Sequence, residues 1–146
     1  HVLTHSFPTR RSSDLDAGVP KIYLCNRTRD RAEDLAGDIS DCIEVIDWQH
    51  KEDVLPDAFT VVNATSLGMT GKPALEFDLT NINPRALVAD LIYAPLETQL
   101  LKDARARGCD VVGGIGMLLH QGVPGFEAWF GTRPAVDEEL EALVLT

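Results

Sequence analysis

Arg27, Arg29 and Arg31 fall within five positions of one another in the stretch LCNRTRDRA, Leu24 to Ala32, although the 146-residue chain carries a formal net charge of -10. A helix N-terminus is already partially positive and ordinarily attracts carboxylates. An anion placed there would meet backbone N–H groups as well as guanidinium groups. In a dinucleotide-binding βαβ unit the second strand usually ends in Asp or Glu, which hydrogen-bonds the adenosine ribose of NAD. Here that position is Asn26, so no carboxylate repels a 2′-phosphate. Arg27 and Arg31, four residues apart, can clamp such a phosphate through charge-assisted bidentate bonds. Thr28 adds a hydroxyl and an N-cap. The pattern favours NADP over NAD. The competing arrangement is a solvated helix face on which Arg29 and Arg31 pair with Asp30, Glu33, Asp34 or Asp38, and Arg29 is expected to do only this.

Three further stretches carry polar groups at positions that could meet a ligand. NATSLGM, Asn63 to Met69, offers Asn63, Thr65 and Ser66 after a strand, with Gly68 permitting close backbone approach. DLIYAPLETQLL places Tyr93 at the carboxyl end of another strand. GGIGMLLHQG sets Met117 and Gln121 four apart, on one face of a helix. Each also has a plain reading: a strand-to-loop junction, a packed aromatic whose hydroxyl reaches water, and a satisfied amide near a helix end. His120 reads as exposed or packed rather than catalytic.

The elements that would position these groups alternate between strand and helix patterns. KIYLC, Lys21 to Cys25, is short, β-branched and aromatic, as a buried strand is. Thr28 then opens a helix with apolar positions Ala32, Leu35, Ala36 and Ile39. IEVIDW and FTVVNAT are further strands, and ALVADLIY is the near-continuous apolar run of a strand buried on both faces of a parallel sheet. Thr98 caps the helix QLLKDARAR, which stops at Gly108, and CDVVGG supplies another strand. MLLHQGVPGFEAWFG reads as a helix bent or broken near Pro124, and VDEELEALV as an acidic helix with Leu140, Leu143 and Val144 turned inward. The class is α/β, a truncated Rossmann-like, mainly parallel sheet with flanking helices. Ligands are expected at the carboxyl ends of its strands.

Composition excludes several function classes. With 45% hydrophobic and 25% charged residues the chain can bury a core. Its acidic balance argues against nucleic-acid binding, which needs a broad basic surface. Cys25, Cys42 and Cys109 have no metal-ligand spacing and read as reduced thiols of a cytoplasmic protein. His1, His5, His50 and His120 form no metal motif, and no apolar run is long enough for a bilayer.

Residues 1–15, HVLTHSFPTRRSSDL, are unlike the remainder of the chain, with no initiator Met and no helical or strand period. A transit peptide can be Arg- and Ser-rich. FPTRRSSDL instead resembles translated sequencing-adapter read-through, and 1–15 are expected to be an extraneous or disordered leader before a partial NADP-binding domain, 16–146. The Gly-rich turn G-x-G-x-x-G is absent, and GGIG at Gly113 to Gly116 comes after the last strand. The expectation is that a first strand and its turn precede this chain in a longer parent.

Taken together, NRTRDRA, NATSLGM, DLIYAPLETQLL and GGIGMLLHQG with FEAWFG, in this order and spacing, resemble the C-terminal, NADP-binding half of shikimate dehydrogenase over residues 16–135. Glutamyl-tRNA reductase shares an N-R-T-like stretch, but the later motifs fit it less well. The resemblance implies that Asn26, Arg27, Thr28 and Arg31 hold the 2′-phosphate end of NADP. It implies backbone contacts from Leu91 and Gly114, a nicotinamide side lined by Met117 and Leu118, and Thr65, Ser66 and Met69 along the cofactor channel. Tyr93 and Gln121 would hydrogen-bond shikimate. Family members reduce 3-dehydroshikimate to shikimate with NADPH, in chorismate and aromatic amino-acid biosynthesis. The family's catalytic Lys and Asp lie upstream of the matched region, so no catalytic residue is assigned, and the chain alone is expected to be inactive. Metal, nucleic acid and membrane are not expected as partners, and a homodimeric parent is compatible with the family. Gln99 stands where the family often has Pro, and Gly122 to Gly125 interrupts its usual Ala-rich helix. The alternatives are a quinate/shikimate dehydrogenase, for which an acid near Asn26 would suit NAD, and a non-catalytic nucleotide-binding module.

Overall fold

The computed structural model describes residues 2–4, 18–37 and 42–144. Among the described residues six strands form one parallel sheet: β1 (Val2–Thr4), β2 (Ile22–Asn26), β3 (Ile43–Asp47), β4 (Thr60–Asn63), β5 (Leu87–Asp90) and β6 (Asp110–Val112). Their spatial order is β3-β2-β1-β4-β5-β6, with every neighbouring pair parallel. This is the Rossmann-like α/β architecture expected from the alternation of patterns, and its order reverses between β1 and β4.

Side-chain alternation along the strands builds a core on each face. Leu24 and Val62 belong to a cluster with Ile22 and Ala32, while their neighbours Cys25 and Val61 join a cluster with Leu55, Val88 and Leu101. Consecutive strand residues point to opposite faces, so both faces must be covered. Helix α1 (Arg29–Gly37) supplies Ala32 and Leu35 to the first cluster. Helix α2 (Gln99–Ala106) supplies Leu100, Leu101 and Ala104 to the second. Thr98 caps α2 as expected, its hydroxyl accepting the Leu101 N–H at 3.4 Å.

The structure differs from the sequence reading in four places. The sequence pattern sets residues 1–15 outside the fold, yet Val2–Thr4 lie at the centre of the sheet as β1, pairing with both β2 and β4. Three residues are too few to show a period, and the two ladder edges that an absent strand would expose are paired. The rest of that leader, and Ile39 of the first helix, lie outside the described residues. ALVADLIY is strand only as far as Asp90: the Leu91 N–H still reaches the Asn63 carbonyl at 3.0 Å, but the Ile92 N–H turns back to Asp90 Oδ1 at 3.1 Å. Helix α3 (Gly114–Phe130) runs unbroken through Pro124. The proline ring is exposed, as is His120 one turn earlier, so the carbonyl it leaves without a donor lies on the solvated side. In α4 (Glu138–Val144) Leu143 and Val144 are exposed, at 66% and 49%, rather than turned inward. Four acidic residues in VDEELEALV leave this helix an incomplete apolar stripe, and only Leu140 is half-covered.

Candidate functional site

The carboxyl ends of β2 and β4 flank β1, and an open cleft of about 440 Å³ lies between the loops at those ends. It is lined by Asn26, Arg27, Thr28 and Arg31 on one side and Ala64, Thr65 and Ser66 on the other, with Trp48 from the turn after β3. Six residues expected at the cofactor are thereby brought together from segments almost forty positions apart. Trp48 and Ala64 were missed by sequence reasoning. Trp48 continues the strand pattern IEVIDW without interruption, and only the end of β3 at Asp47 turns it toward the cleft.

The three arginines divide as the chemistry requires. Arg29 is held on the surface by Glu33 at 2.5 Å and Asp47 at 2.6 Å, and the Asp47 carboxylate raises its already high pKa further. Among the described residues, the guanidinium groups of Arg27 and Arg31 have no hydrogen-bond or ion-pair partner. The solvated-face arrangement therefore accounts for Arg29 alone. Asn26 Oδ1 accepts the Thr28 N–H at 3.0 Å, an Asx turn that fixes the approach to α1. Thr28 itself accepts through its carbonyl, from the Arg31 N–H at 3.2 Å. That bond sets Arg31 one turn beyond Thr28 on the cleft side.

On the opposite wall, Asn63 is a buried organiser rather than a ligand group. Its amide donates to the Leu67 carbonyl at 3.2 Å and to Asp90 Oδ1 at 3.0 Å. Its oxygen accepts from the Thr65 backbone N–H and hydroxyl, at 3.0 and 2.8 Å. The Thr65 hydroxyl also accepts the Leu67 N–H at 3.0 Å. Thr65 is thus largely committed to the loop, whereas the exposed Ser66 hydroxyl is free to meet a ligand among the described residues. Gly68 is needed for its φ of +95°, and a Cβ there would touch only Ile92 Cδ1, at 3.7 Å.

Asp90 anchors the next strand end. It is 1% exposed, and it accepts from Asn63, from the Ile92 N–H at 3.1 Å and from the Thr98 hydroxyl at 2.6 Å. Burial raises its pKa, against the lowering effect of those three donors. The remaining expected residues lie past this end of the sheet. Leu91 and Gly114 are adjacent: the Gly114 N–H donates to the Ile92 carbonyl at 3.1 Å, and a Cβ on Gly114 would run into the Leu91 carbonyl. Only glycine allows α3 to start there. Met117 and Leu118 occupy the first turn of that helix, half-buried and 38% exposed. Met69 lies in the turn beyond Ser66, off the cleft lining, and the neighbouring Thr70 N–H reaches the Ala94 carbonyl at 2.8 Å. Tyr93 and Gln121 are exposed, and neither side chain has a hydrogen-bond partner among the described residues. No group of His, Cys, Asp and Glu among the described residues could hold a metal ion, and no helix among them is long and apolar enough to cross a membrane.

Residues 114–143 match the model of the shikimate 5′-dehydrogenase C-terminal domain. Shikimate dehydrogenase (NADP(+)) of Cereibacter sphaeroides is 55% identical over 131 residues, which are 90% of this chain and 47% of that protein. Among solved structures, quinate dehydrogenase from Corynebacterium glutamicum in complex with NAD superposes with a TM-score of 0.85 at 31% identity, covering 99% of this chain and 54% of that one. Shikimate 5-dehydrogenase from Thermus thermophilus, in complex with NADP(H) and shikimate, gives 0.75 at 26% identity, covering 92% and 50%. The chain spans about half the length of the curated relatives it matches.

Proposed function

We infer that this chain, a relative of the shikimate dehydrogenases along nine-tenths of its length, is the cofactor-holding part of an NADP-dependent oxidoreductase that reduces 3-dehydroshikimate to shikimate. The observation that carries the choice of cofactor is the contrast between Arg29, paired with two carboxylates, and Arg27 and Arg31, without partners among the described residues beside an uncharged Asn26. NADP fits this donor set. Two guanidinium groups and the Ser66 hydroxyl suit a phosphate, and the glycine at 114 lets α3 start directly against the Leu91 carbonyl. When bound, the reduced cofactor supplies a hydride. The chain's own residues bind and orient. Arg27 and Arg31 neutralise the 2′-phosphate, and the Asn63–Asp90 hydrogen bond holds the two strand ends in fixed relation. The exposed Tyr93 phenol and Gln121 amide present donors to the hydroxyl groups of a shikimate-type substrate.

None of these residues is a general acid placed to protonate an alkoxide. This chain is therefore expected to bind cofactor without turning substrate over, the rest of a cytoplasmic, dimer-forming enzyme being supplied by the remainder of the family's length. Titration calorimetry of the chain with NADP, NAD and shikimate tests this. NADP should bind more tightly than NAD; equal affinities would remove the basis for the cofactor choice, and reduction of 3-dehydroshikimate by this chain alone would overturn the assignment of catalysis elsewhere. A quinate-type enzyme is the second reading, favoured by the superposition on the NAD complex. It requires NAD to bind at least as well as NADP, which Arg27 and Arg31, without partners among the described residues, oppose.

A further inference from the structure

We propose that Trp48 is the platform on which the adenine of the bound nucleotide stacks, and that Lys51 is the positioning residue that holds the indole for it. The inference rests on reading Arg27 and Arg31 as a 2′-phosphate clamp. A clamp there leaves an adenosine inside the same cleft, and a nucleobase is flat, with two poorly hydrated π faces that need a wall. Seven of the eight lining residues are polar, charged or small; Trp48 alone offers an aromatic ring. Stacking on an aromatic side chain is the common solution for holding a base, whatever its hydrogen-bonding edge.

The surroundings of Trp48 are built to keep it in one place. It is the first residue of a short turn of 3₁₀ helix, directly after Asp47, whose carboxylate is taken up by Arg29. Its partly buried ring packs against the core cluster containing Cys25 and Leu55. Lys51, three residues on, is only 7% exposed. Its ammonium lies 5.0 Å from the centre of the Trp48 ring and 5.6 Å from that of Phe77, and it pairs with Glu52 at 2.7 Å. A lysine is rarely so enclosed unless its charge is matched. Here the carboxylate and two ring faces match it, and the lysine in turn fixes the ring that lines the cleft. Nothing in the nucleotide-binding pattern of the sequence assigns these residues a role.

The chain has two tryptophans, and Trp129, 81% exposed on α3, lies outside the cleft lining. In a Trp129→Phe background, emission reports Trp48 alone. Titration with 2′,5′-ADP should quench that emission saturably, with the midpoint found by calorimetry, and inorganic phosphate should not quench it. Trp48→Ala should weaken 2′,5′-ADP about 5- to 150-fold, the range expected for loss of one stacked base, while Trp48→Phe keeps most of the affinity. Lys51→Met should give a smaller loss with altered quenching. If 2′,5′-ADP binds with unchanged Trp48 emission, or if Trp48→Ala and Trp48→Phe bind it equally, the platform is wrong and the clamp stands. If 2′,5′-ADP fails to bind the unsubstituted chain, both fail together. Thermal melts of each variant separate loss of binding from loss of fold.

Discussion

Asn26→Asp separates cofactor choice from folding. Asn26 Oδ1 accepts the Thr28 N–H at 3.0 Å, and a carboxylate in its place keeps that acceptor. It also sets negative charge before the first turn of α1, where about 0.3–1 kcal/mol of stabilisation is typical. The variant should melt at the same temperature or slightly higher. Nucleotide binding responds in the opposite direction. Asn26, Arg27 and Arg31 line one cleft, so the new carboxylate and a 2′-phosphate share a partly solvated space. Two unit charges about 5 Å apart repel by about 3 kcal/mol at an effective dielectric of about 20, and by under about 1 kcal/mol in bulk water. The exposure of both arginines puts the cleft between these limits. A loss of about 1–3 kcal/mol corresponds to NADP binding weakened about 5- to 150-fold. NAD gains an acceptor for its ribose hydroxyls and should bind unchanged or more tightly. Calorimetric titration with both cofactors reads the split, and raising the salt should shrink the NADP loss because exposed charges are screened. Parallel losses for both cofactors, or an unaltered NADP affinity, would refute the placement of the 2′-phosphate beside Asn26.

Arg27→Ala should weaken NADP by about tenfold or more, as expected for a lost charge-assisted bond, and leave NAD nearly unchanged. Arg29→Ala should leave both affinities alone and cost at most about 1 kcal/mol of stability, since its ion pairs are exposed; a cofactor-selective effect of Arg29→Ala would undo the division of roles. Burial pushes the Cys25 thiol up from 9.0 to about 12. A raised acid pKa in the folded state means stability that is intact below pH 9 and falls from there toward pH 12, as the unfolded thiol ionises and the folded one does not. Urea unfolding across that range should show the fall, and Cys25→Ala should reduce it. For Asp90, whose pKa burial also raises, Asp90→Asn should be better tolerated than Asp90→Ala in thermal melts, because alanine leaves the Ile92, Thr98 and Asn63 donors without an acceptor; equal melting points would show that this network is dispensable.

What the sequence reveals, and what it hides, depends on the range over which each interaction acts. The strands β2, β4 and β5 and helix α2 are legible because their signals lie within a few residues: β-branched runs, a Thr cap, a closing Gly. The surface role of Arg29 is legible too, but its partner Asp47, 18 residues away on the next strand, is not. A local set of acids on the same helix contains Glu33 but not this partner. Asn63 shows the same limit in reverse. Its motif suggests a ligand group, but Asp90, 27 residues on, turns it inward. Trp48 escapes because its strand pattern continues through it, and β1 because three residues define no period.

The residues proposed to select NADP, Asn26, Arg27 and Arg31, all lie at or just after the end of β2, on one side of the switch point. In this fold the pyrophosphate is held by glycine-rich backbone after the first strand, and no G-x-G-x-x-G motif occurs in this sequence. The proposed adenosine end, by contrast, has Asn26, Arg27, Thr28, Arg31 and Trp48 lining one cleft. The binding energy of NADP should therefore reside almost wholly in its 2′-phosphoadenosine half. Competition titration gives the test: 2′,5′-ADP should bind within about threefold of NADP, a gap of under about 1 kcal/mol. If NADP instead binds ten or more times more tightly, groups near Gly114 and Met117 hold the nicotinamide half without the glycine-rich turn, and selectivity is shared along the whole sheet edge.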